Sequence, residues 1–169
     1  MRRFSGREAR RMATKTKRDS AAPTIRAFRE ADAATVTEIL RGSPEASQWT
    51  EWGLRELLGW QGVVALVSED KGKLSGFIIG REVAGEAEIL NLAVIPAKRR
   101  KGEGGALLKA AMAEFTARHV SRVFLEVRES NEAGMAFYEK QGFSKTGRRA
   151  GYYRDPDEAA IRMEMKLGG

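Results

Sequence analysis

Apolar residues recur along this chain with two spacings, one near 3.6 residues, typical of helices, and one near 2, typical of strands. Up to residue 83 they predict one strand, two helices and a β-hairpin. The break Gly42-Ser43-Pro44 ends the first helix, and Thr50 is placed to cap the second. The predicted elements are strand 24–28, helix 31–40, a helix after residue 50, strand 62–67, a tight turn at 70–73 and strand 74–83.

The second half of the chain alternates strands with helices. A fourth strand stops at Pro96, and a glycine-rich segment then leads into a long helix. One stripe of this helix holds Leu108, Met112, Phe115 and His119. Because a strand, a helix and a following strand usually place both strands in parallel, the pattern predicts a mixed α/β sheet. The elements are strand 85–95, helix 104–118, strand 121–128, helix 131–141 and extended segments at 143–149 and 159–167.

The 169-residue chain has a net charge of +7, and most of it lies at the N-terminal end. Residues 1–22 contain eight basic and two acidic residues, a net charge of +6. Such a composition predicts a basic, disordered tail over residues 1–22 and one folded domain over residues 23–169. Two interpretations of the tail stay open. In the first, the tail attracts RNA or the ribosome through its positive charge. In the second, the tail is a solvated extension, which a translation start at Met12 would shorten.

The composition excludes several kinds of site. The chain has no cysteine and one histidine, His119, which excludes disulfides, thiolate metal sites, an acyl-cysteine intermediate and multi-histidine metal sites. No apolar run approaches the ~20 residues of a membrane span, and no secretory signal stretch is present. We therefore expect a cytoplasmic protein that holds no metal and contacts no membrane. His119 is assigned no role beyond the end of its helix.

The segment Arg99-Arg100-Lys101-Gly102-Glu103-Gly104-Gly105 links a predicted strand to a predicted helix. It should bind an anion, because the first amides of a helix lack partners, glycines let a phosphate approach, and the cations add positive charge. A nucleoside-triphosphate loop would need G-x-x-x-x-G-K-[S/T], which is absent. A dinucleotide fold is disfavoured, because Leu107 stands where its third glycine would be. The pyrophosphate of coenzyme A suits the site.

The pattern Arg99-x-x-Gly102-x-Gly104 resembles the coenzyme-binding signature of the GNAT N-acetyltransferases. Within that family, the chain resembles the bacterial ribosomal-protein alanine N-acetyltransferase group. The matching segments are residues 91–96, 106–108, 125–131, 133–143 and the pair Tyr152-Tyr153. The resemblance covers roughly residues 24–167. It implies a GNAT fold, a mixed, mostly antiparallel sheet of about seven strands flanked by about four helices.

The resemblance implies acetyl transfer from acetyl-CoA to an amine, with Glu126 as general base and Tyr138 as the acid that protonates the departing thiolate. Strand alternation places Glu126 on the face opposite Leu125 and Val127, beside Arg128. A surface ion pair with Arg128 is the alternative for Glu126, and a place in the core is the alternative for Tyr138. Since the chain has no cysteine, direct attack of the amine on the thioester is favoured over a covalent relay.

Further residues are implied to hold acetyl-CoA, which is a co-substrate. Backbone groups of the fourth strand would bind its acetyl and pantetheine parts, the glycine-rich segment its pyrophosphate, and Asn131 could contact it while capping a helix. Glu103 departs from the family pattern, which usually has an apolar residue there, and an acid adds repulsion toward phosphate. The implied coenzyme-binding residues are Leu92, Ala93, Val94, Arg99, Arg100, Lys101, Gly102, Glu103, Gly104, Gly105 and Asn131.

The expected acceptor is a protein N-terminus, such as that of a ribosomal protein, because a free α-amino group has a pKa near 8 against about 10.4 for lysine. The alternatives are a small amine or amino acid, and a non-catalytic acyl-CoA-binding or RNA-associated module. Trp49 and Trp52 either line the acceptor cleft or pack onto the sheet. Asp155, Asp157 and Glu158 either attract a basic acceptor or belong to an ordinary hairpin turn.

Overall fold

The computed structural model describes residues 22–168, which form one seven-stranded sheet with helices on both faces. The predicted basic tail lies outside the described residues except for Ala22, which is exposed. The elements in chain order are β1 (Thr24–Ala27), α1 (Ala33–Arg41), α2 (Glu51–Leu58), β2 (Val63–Asp70), β3 (Lys73–Val83), β4 (Glu86–Val94), α3 (Glu103–Ala117), β5 (Arg122–Arg128), α4 (Glu132–Lys140), β6 (Ser144–Arg154) and β7 (Asp157–Lys166).

The strands lie side by side in the order β1-β2-β3-β4-β5-β7-β6. Neighbouring strands are antiparallel except β4 and β5, which run parallel on either side of the connection through α3. This arrangement confirms the predicted mixed, mostly antiparallel sheet of seven strands and the four predicted helices. No helix within residues 22–168 is long and apolar enough to span a membrane.

The sheet separates two hydrophobic cores. On one face, α1 and α2 pack over Phe77 and Ile79. On the other face, α3 and α4 pack over Ile78, Ile89 and Leu125. Because successive side chains of a strand point to opposite faces, the run of buried residues in β3 contributes to both cores. A functional side chain can therefore be assigned to one face or the other from its position in a strand.

Helix α3 lies close to its predicted position, but its buried face differs from the predicted stripe. Leu108 and Phe115 are buried and Met112 is partly buried, as predicted. His119 lies beyond the end of the helix, exposed, with a φ of 61°. The buried residues of the helix are Glu103, Leu107, Leu108, Ala111 and Phe115. Because the helix ends at Ala117, His119 is not part of the helix and does not lie on its buried face.

Strand β6 extends to Arg154, beyond the predicted end at residue 149. Nearly all its residues are exposed, so pairing with β7, and not an apolar pattern, defines the strand. Its register shifts between Arg149, opposite Ala160, and Tyr153, opposite Glu158, so β6 carries extra residues there. Gly151 has a φ of 60° within this bulge, a conformation that suits glycine.

The parallel strands β4 and β5 part in the middle of the sheet. They pair only from Glu86 to Ile89 on β4 and from Arg122 to Leu125 on β5. Beyond these positions β4 continues along β3, whereas β5 continues along β7. The C-terminal half of β4 therefore has one edge that faces an opening in the sheet.

Candidate active site

The opening between β4 and β5 is a cleft that several separate elements line. Leu92 of β4, Glu126 of β5, Tyr138 of α4 and Tyr153 of β6 all face the same cavity, together with Glu45 from the segment between α1 and α2. The cleft has walls from both faces of the sheet. Elements that lie far apart along the chain therefore meet where the two strands part.

Glu126 projects to the face of the sheet that carries α1 and α2, because its neighbours Leu125 and Val127 belong to the core under α3 and α4. Its side chain is 13% exposed, and its Oε1 lies 2.7 Å from Nη1 of Arg149. Its Oε2 is buried and has no hydrogen-bond partner among residues 22–168. The second oxygen is therefore open to a donor that enters the cleft.

The alternative interpretation of Glu126 as the partner of Arg128 is wrong. Nη1 of Arg128 lies 3.3 Å from Oε2 of Glu158, and its guanidinium lies 4.1 Å from the centre of the Tyr153 ring. Glu158 also accepts a hydrogen bond from the backbone N–H of Ser130. Arg128 is thus paired with Glu158, and Glu126 is paired with Arg149.

Charged and phenolic groups crowd around Glu126. Loss of hydration, and then the Glu126 charge, raise the pKa of the Glu88 carboxyl on β4. Interaction with the Glu126 carboxylate raises the pKa of the Tyr152 phenol to about 12. The guanidinium of Arg149, which pairs with Glu126, also lies 4.5 Å from the centre of the Tyr152 ring.

Tyr138 reaches the cleft from the opposite face of the sheet, on α4. Its ring makes edge contacts with Phe137 and Phe143, at centroid distances of 5.0 and 5.7 Å. Both Tyr138 and Phe137 pack against the core, so Tyr138 combines a place in the core with access to the cleft. Burial raises the pKa of the Tyr138 phenol well above its ordinary value. The hydroxyl therefore keeps its proton at neutral pH and can act as a donor.

Asn131 begins helix α4 and also lines the cleft. Its Oδ1 accepts a hydrogen bond from the backbone N–H of Gly134 at 2.9 Å. The predicted capping role is therefore confirmed, and the residue stands beside the cavity that also contains Tyr138.

The glycine-rich segment ends at the N-terminus of α3, as predicted. Gly102 precedes the helix with a φ of 85°, which favours glycine, and a Cβ there would meet no atom within 4 Å. Gly104 and Gly105 lie in the first turn of α3, where their surroundings differ from those of Gly102. A Cβ at Gly104 would lie 3.5 Å from the Phe137 ring, and one at Gly105 would lie 3.5 Å from Gln141 Nε2. Both distances are ordinary van der Waals contacts, so packing does not require glycine at either position.

The cations of the segment are mostly engaged by other groups. Lys98 pairs with Asp70, and Nζ of Lys101 donates to the carbonyl of Ala97 at 2.8 Å. Arg99 is turned toward the residues that follow α1. Arg100 is exposed. The positive charge around the N-terminus of α3 is therefore less concentrated than the run of four basic residues suggested.

The carboxylate of Glu103 does not face the phosphate site but turns into the sheet. The residue is 5% exposed, and its Oε1 accepts hydrogen bonds from the hydroxyls of Ser68, at 2.6 Å, and Ser75. Its position in the first turn of α3 suits a negative charge, since the helix dipole is positive there. The departure from the family pattern is thus matched by two serines on β2 and β3.

The other candidates for the acceptor site are placed differently. Trp49 packs against the core under α1 and α2, whereas Trp52 is 68% exposed, and neither residue lines the cleft. Asp155 and Asp157 are exposed at the β6–β7 turn. Sequence reasoning missed Arg149 and Glu45, because nothing in their local sequence links them to β5.

Comparisons with known proteins agree with this architecture. Residues 33–143 match the model of the acetyltransferase (GNAT) family. The [ribosomal protein bS18]-alanine N-acetyltransferase of Escherichia coli (strain K12) is 41% identical over 98 residues, which span 57% of this chain and 66% of that protein, just under two thirds of its length. The putative enzyme of the same name from Bacillus subtilis (strain 168) is 34% identical over 144 residues, 85% of this chain and 95% of that protein.

Solved structures extend the likeness to the whole fold. The crystal structure of the ribosomal-protein-S18-alanine N-acetyltransferase from Escherichia coli superposes with a TM-score of 0.76 and 31% identity, covering 87% of this chain and 96% of that chain. The predicted fold is therefore confirmed, and the chain belongs to the GNAT family of acetyltransferases.

Proposed function

We propose that this chain is an acetyl-CoA-dependent N-acetyltransferase that acetylates the N-terminal amine of a protein. The observation that carries the proposal is the cleft between β4 and β5, where Glu126 and Tyr138 approach one cavity from opposite faces of the sheet. Transfer of an acetyl group from a thioester to an amine requires a base and an acid. A carboxylate with an open oxygen and a protonated phenol can supply these two functions.

In the proposed reaction, the acceptor nitrogen attacks the carbonyl carbon of the thioester directly. The C–N bond forms as the C–S bond breaks, and the proton lost by the amine passes to Glu126, directly or through a water. Tyr138 gives its phenolic proton to the departing sulfur, which leaves as a thiol. The buried, neutral state of Tyr138 supports this role, because only the protonated phenol can donate.

The proposed coenzyme site occupies the face of the sheet that carries α3 and α4. The edge of β4 that faces the cleft, at Leu92, Ala93 and Val94, offers backbone groups for the acetyl and pantetheine parts, except the carbonyl of Val94, which accepts a hydrogen bond from Arg99. The first amides of α3, after Gly102, offer donors for the pyrophosphate, and Arg100 and Lys101 add positive charge beside them. Asn131 stands next to both catalytic candidates.

The proposed acceptor approaches from the other face, where Glu126 points. The relatives from Escherichia coli and Bacillus subtilis are named as alanine N-acetyltransferases of ribosomal protein bS18, which supports a protein acceptor and a ribosomal one in particular. The carboxylate of Glu126, with one oxygen unpartnered among the described residues, suits an amine that enters the cleft. Contact of residues 1–22 with RNA or the ribosome stays a prediction, as does a cytoplasmic location.

The test is to follow thiol release from acetyl-CoA with three acceptors. These are a peptide that begins with alanine, a lysine-containing peptide with a blocked N-terminus, and spermidine. We expect release with the first peptide alone. Release with spermidine alone would favour a small-amine enzyme, and no release with any acceptor would favour a non-catalytic acyl-CoA-binding module.

A further inference from the structure

The guanidinium of Arg99 is held by the segment between α1 and α2, residues 42–50. Its Nε donates to the carbonyl of Val94 at 2.8 Å. Its Nη2 donates to Oγ of Ser43 at 2.9 Å and lies 3.0 Å from Oε1 of Glu45. Because the guanidinium is planar and its donors have fixed directions, these contacts orient Arg99 toward the residues that follow α1.

Two further side chains fix the same segment. Nε2 of Gln48 donates to the carbonyls of Leu40 and Ser43, at 3.0 and 3.1 Å. Nδ2 of Asn91, on β4, donates to the carbonyl of Ser47 at 2.8 Å, and Asn91 is only 5% exposed. The segment is therefore attached to β4 at two points, through Arg99 near its start and through Asn91 near its middle.

This segment forms part of the wall of the cleft. Glu45, Ala46 and Ser47 line the same cavity as Glu126 and Tyr138. The helices that flank the segment pack on the face toward which Glu126 points, opposite the face that carries α3. A displacement of the segment would therefore reshape the side of the cleft next to Glu126 and leave the N-terminus of α3 in place.

We propose that Arg99 is a positioning residue for the acceptor, which fixes residues 43–47 as the acceptor-facing wall, and that it is not a ligand of the coenzyme phosphates. This inference rests on the proposed function, since it divides the proposed cleft into two sides. It reverses the role that the glycine-rich pattern implied for Arg99. The phosphate role is left to Arg100, the next residue, which is exposed on the same segment.

The experiment compares Arg99→Ala with Arg100→Ala in the full chain. For each variant, the dissociation constant of coenzyme A is measured by calorimetry, and KM and kcat are measured with the alanine-starting peptide. Arg99→Ala should raise the peptide KM about tenfold, as expected for the loss of a charge-assisted hydrogen bond, and change coenzyme affinity less than twofold. Arg100→Ala should weaken coenzyme binding and leave the peptide KM nearly unchanged. Equal loss of coenzyme affinity in both variants would overturn the proposal.

A second measurement does not depend on activity, so it separates this inference from the proposed function. Amide hydrogen exchange in Arg99→Ala should become faster at Ser43 and Ala46, whose N–H groups donate to the carbonyls of Leu40 and Ser43. It should not change at Ala106, whose N–H donates to the carbonyl of Gly102 at the start of α3. The variant Glu45→Gln should produce a smaller increase at the same amides, because it removes one of the partners of Arg99. Unchanged protection of Ser43 and Ala46 in Arg99→Ala would refute the positioning role even if no peptide proved to be a substrate. If the wild-type chain acetylates no peptide while the exchange result holds, the proposed function fails and the anchoring role of Arg99 stands.

Discussion

The two sides of the cleft are built in different ways. The proposed coenzyme side, on the face of α3 and α4, consists mainly of backbone groups: the edge of β4 and the first amides of α3. The acceptor side, on the face of α1 and α2, consists of charged side chains that different elements bring together. Glu126 of β5 meets Arg149 of β6, and Glu45 meets Arg99.

This difference indicates how each side responds to substitution. A backbone site depends on local conformation, so most side-chain changes near it should be mild unless they alter the helix start or its packing. The acceptor side depends on the group that would carry out the chemistry, so loss of Glu126 itself should matter most, whereas the exposed ion pairs around it contribute little. We therefore expect single substitutions to have their largest effects on the acceptor side.

The largest expected effect is that of Glu126→Gln, which tests the acceptor side at its centre. Loss of the base should lower kcat by a factor of about 10²–10⁴, the usual contribution of general acid–base catalysis. Coenzyme affinity should stay within about twofold of wild type, because the amide keeps the size of the carboxylate. The measurements are steady-state kinetics with an alanine-starting peptide and calorimetry with coenzyme A.

The matched control is Glu129→Gln, which removes a carboxylate that pairs with Arg148 outside the cleft. This variant should keep near-normal kcat. If Glu126→Gln is equally active, Glu126 is not the base, and the contrast between the two sides loses its main support.

Tyr138→Phe tests whether the coenzyme side also contains an essential side chain. Removal of the proton donor should lower kcat about a hundredfold, near the lower end of the usual range. Because the folded-state pKa is raised above its ordinary value of 10.0, the phenol keeps its proton throughout neutral and mildly alkaline solution. Wild-type kcat should therefore show no loss from ionisation of Tyr138 between pH 7 and about pH 10, since a group with a raised pKa ionises only above that value.

Tyr153→Phe is the control, since Tyr153 lines the same cleft and its pKa is also raised by burial. We expect near-normal turnover from this variant. A larger loss with Tyr153→Phe than with Tyr138→Phe would transfer the role of the acid to β6.

Glu103→Leu tests the one buried carboxylate beside the coenzyme side. It restores the apolar residue usual in the family but leaves the hydroxyls of Ser68 and Ser75 without their acceptor. The free energy of unfolding should fall by about 2 kcal/mol, the typical cost of buried polar groups left unsatisfied. Urea denaturation measures the change.

Two further variants complete that experiment. Adding Ser68→Ala and Ser75→Ala to Glu103→Leu should recover much of the loss, because all three polar partners are then removed together. Glu132→Leu is the control, since Glu132 occupies the same first-turn position in α4 but is exposed. A loss from Glu132→Leu as large as that from Glu103→Leu would mean that charge at a helix start, and not the serine contacts, accounts for the effect.

The smallest expected effect is that of Arg149→Gln. Arg149 is an exposed counter-ion of Glu126, and exposed ion pairs contribute at most about 1 kcal/mol. If the acceptor ammonium displaces the guanidinium from Glu126, removal of the guanidinium should lower the peptide KM by up to about fivefold. This factor corresponds to about 1 kcal/mol of binding free energy. Arg148→Gln, which disrupts the pair with Glu129, should leave the peptide KM unchanged. An increase in the peptide KM with Arg149→Gln would show that the arginine contacts the acceptor.

Most of the fold could be predicted from the sequence, because each element follows from local spacing. The hairpin turn at residues 70–73, the cap at Thr50 and the glycine before α3 all act within a few residues of the structure they define. The length of β6 could not be predicted in this way. Its residues are exposed, and only hydrogen bonds to β7 define its extent.

For the candidate site too, local features could be predicted from the sequence, and contacts between distant residues could not. The sequence alone determined that a glycine-rich segment opens helix α3 and that Glu126 stands on the face opposite the aliphatic one, because helix starts and strand alternation are local properties. Only the tertiary structure decided the partners of the charged groups, since these pairs join residues far apart: Glu126 and Arg149 by 23 positions, Glu103 and Ser68 by 35, and Arg99 and Ser43 by 56. Local sequence holds no information on such pairs, because they form only when the sheet and helices pack together.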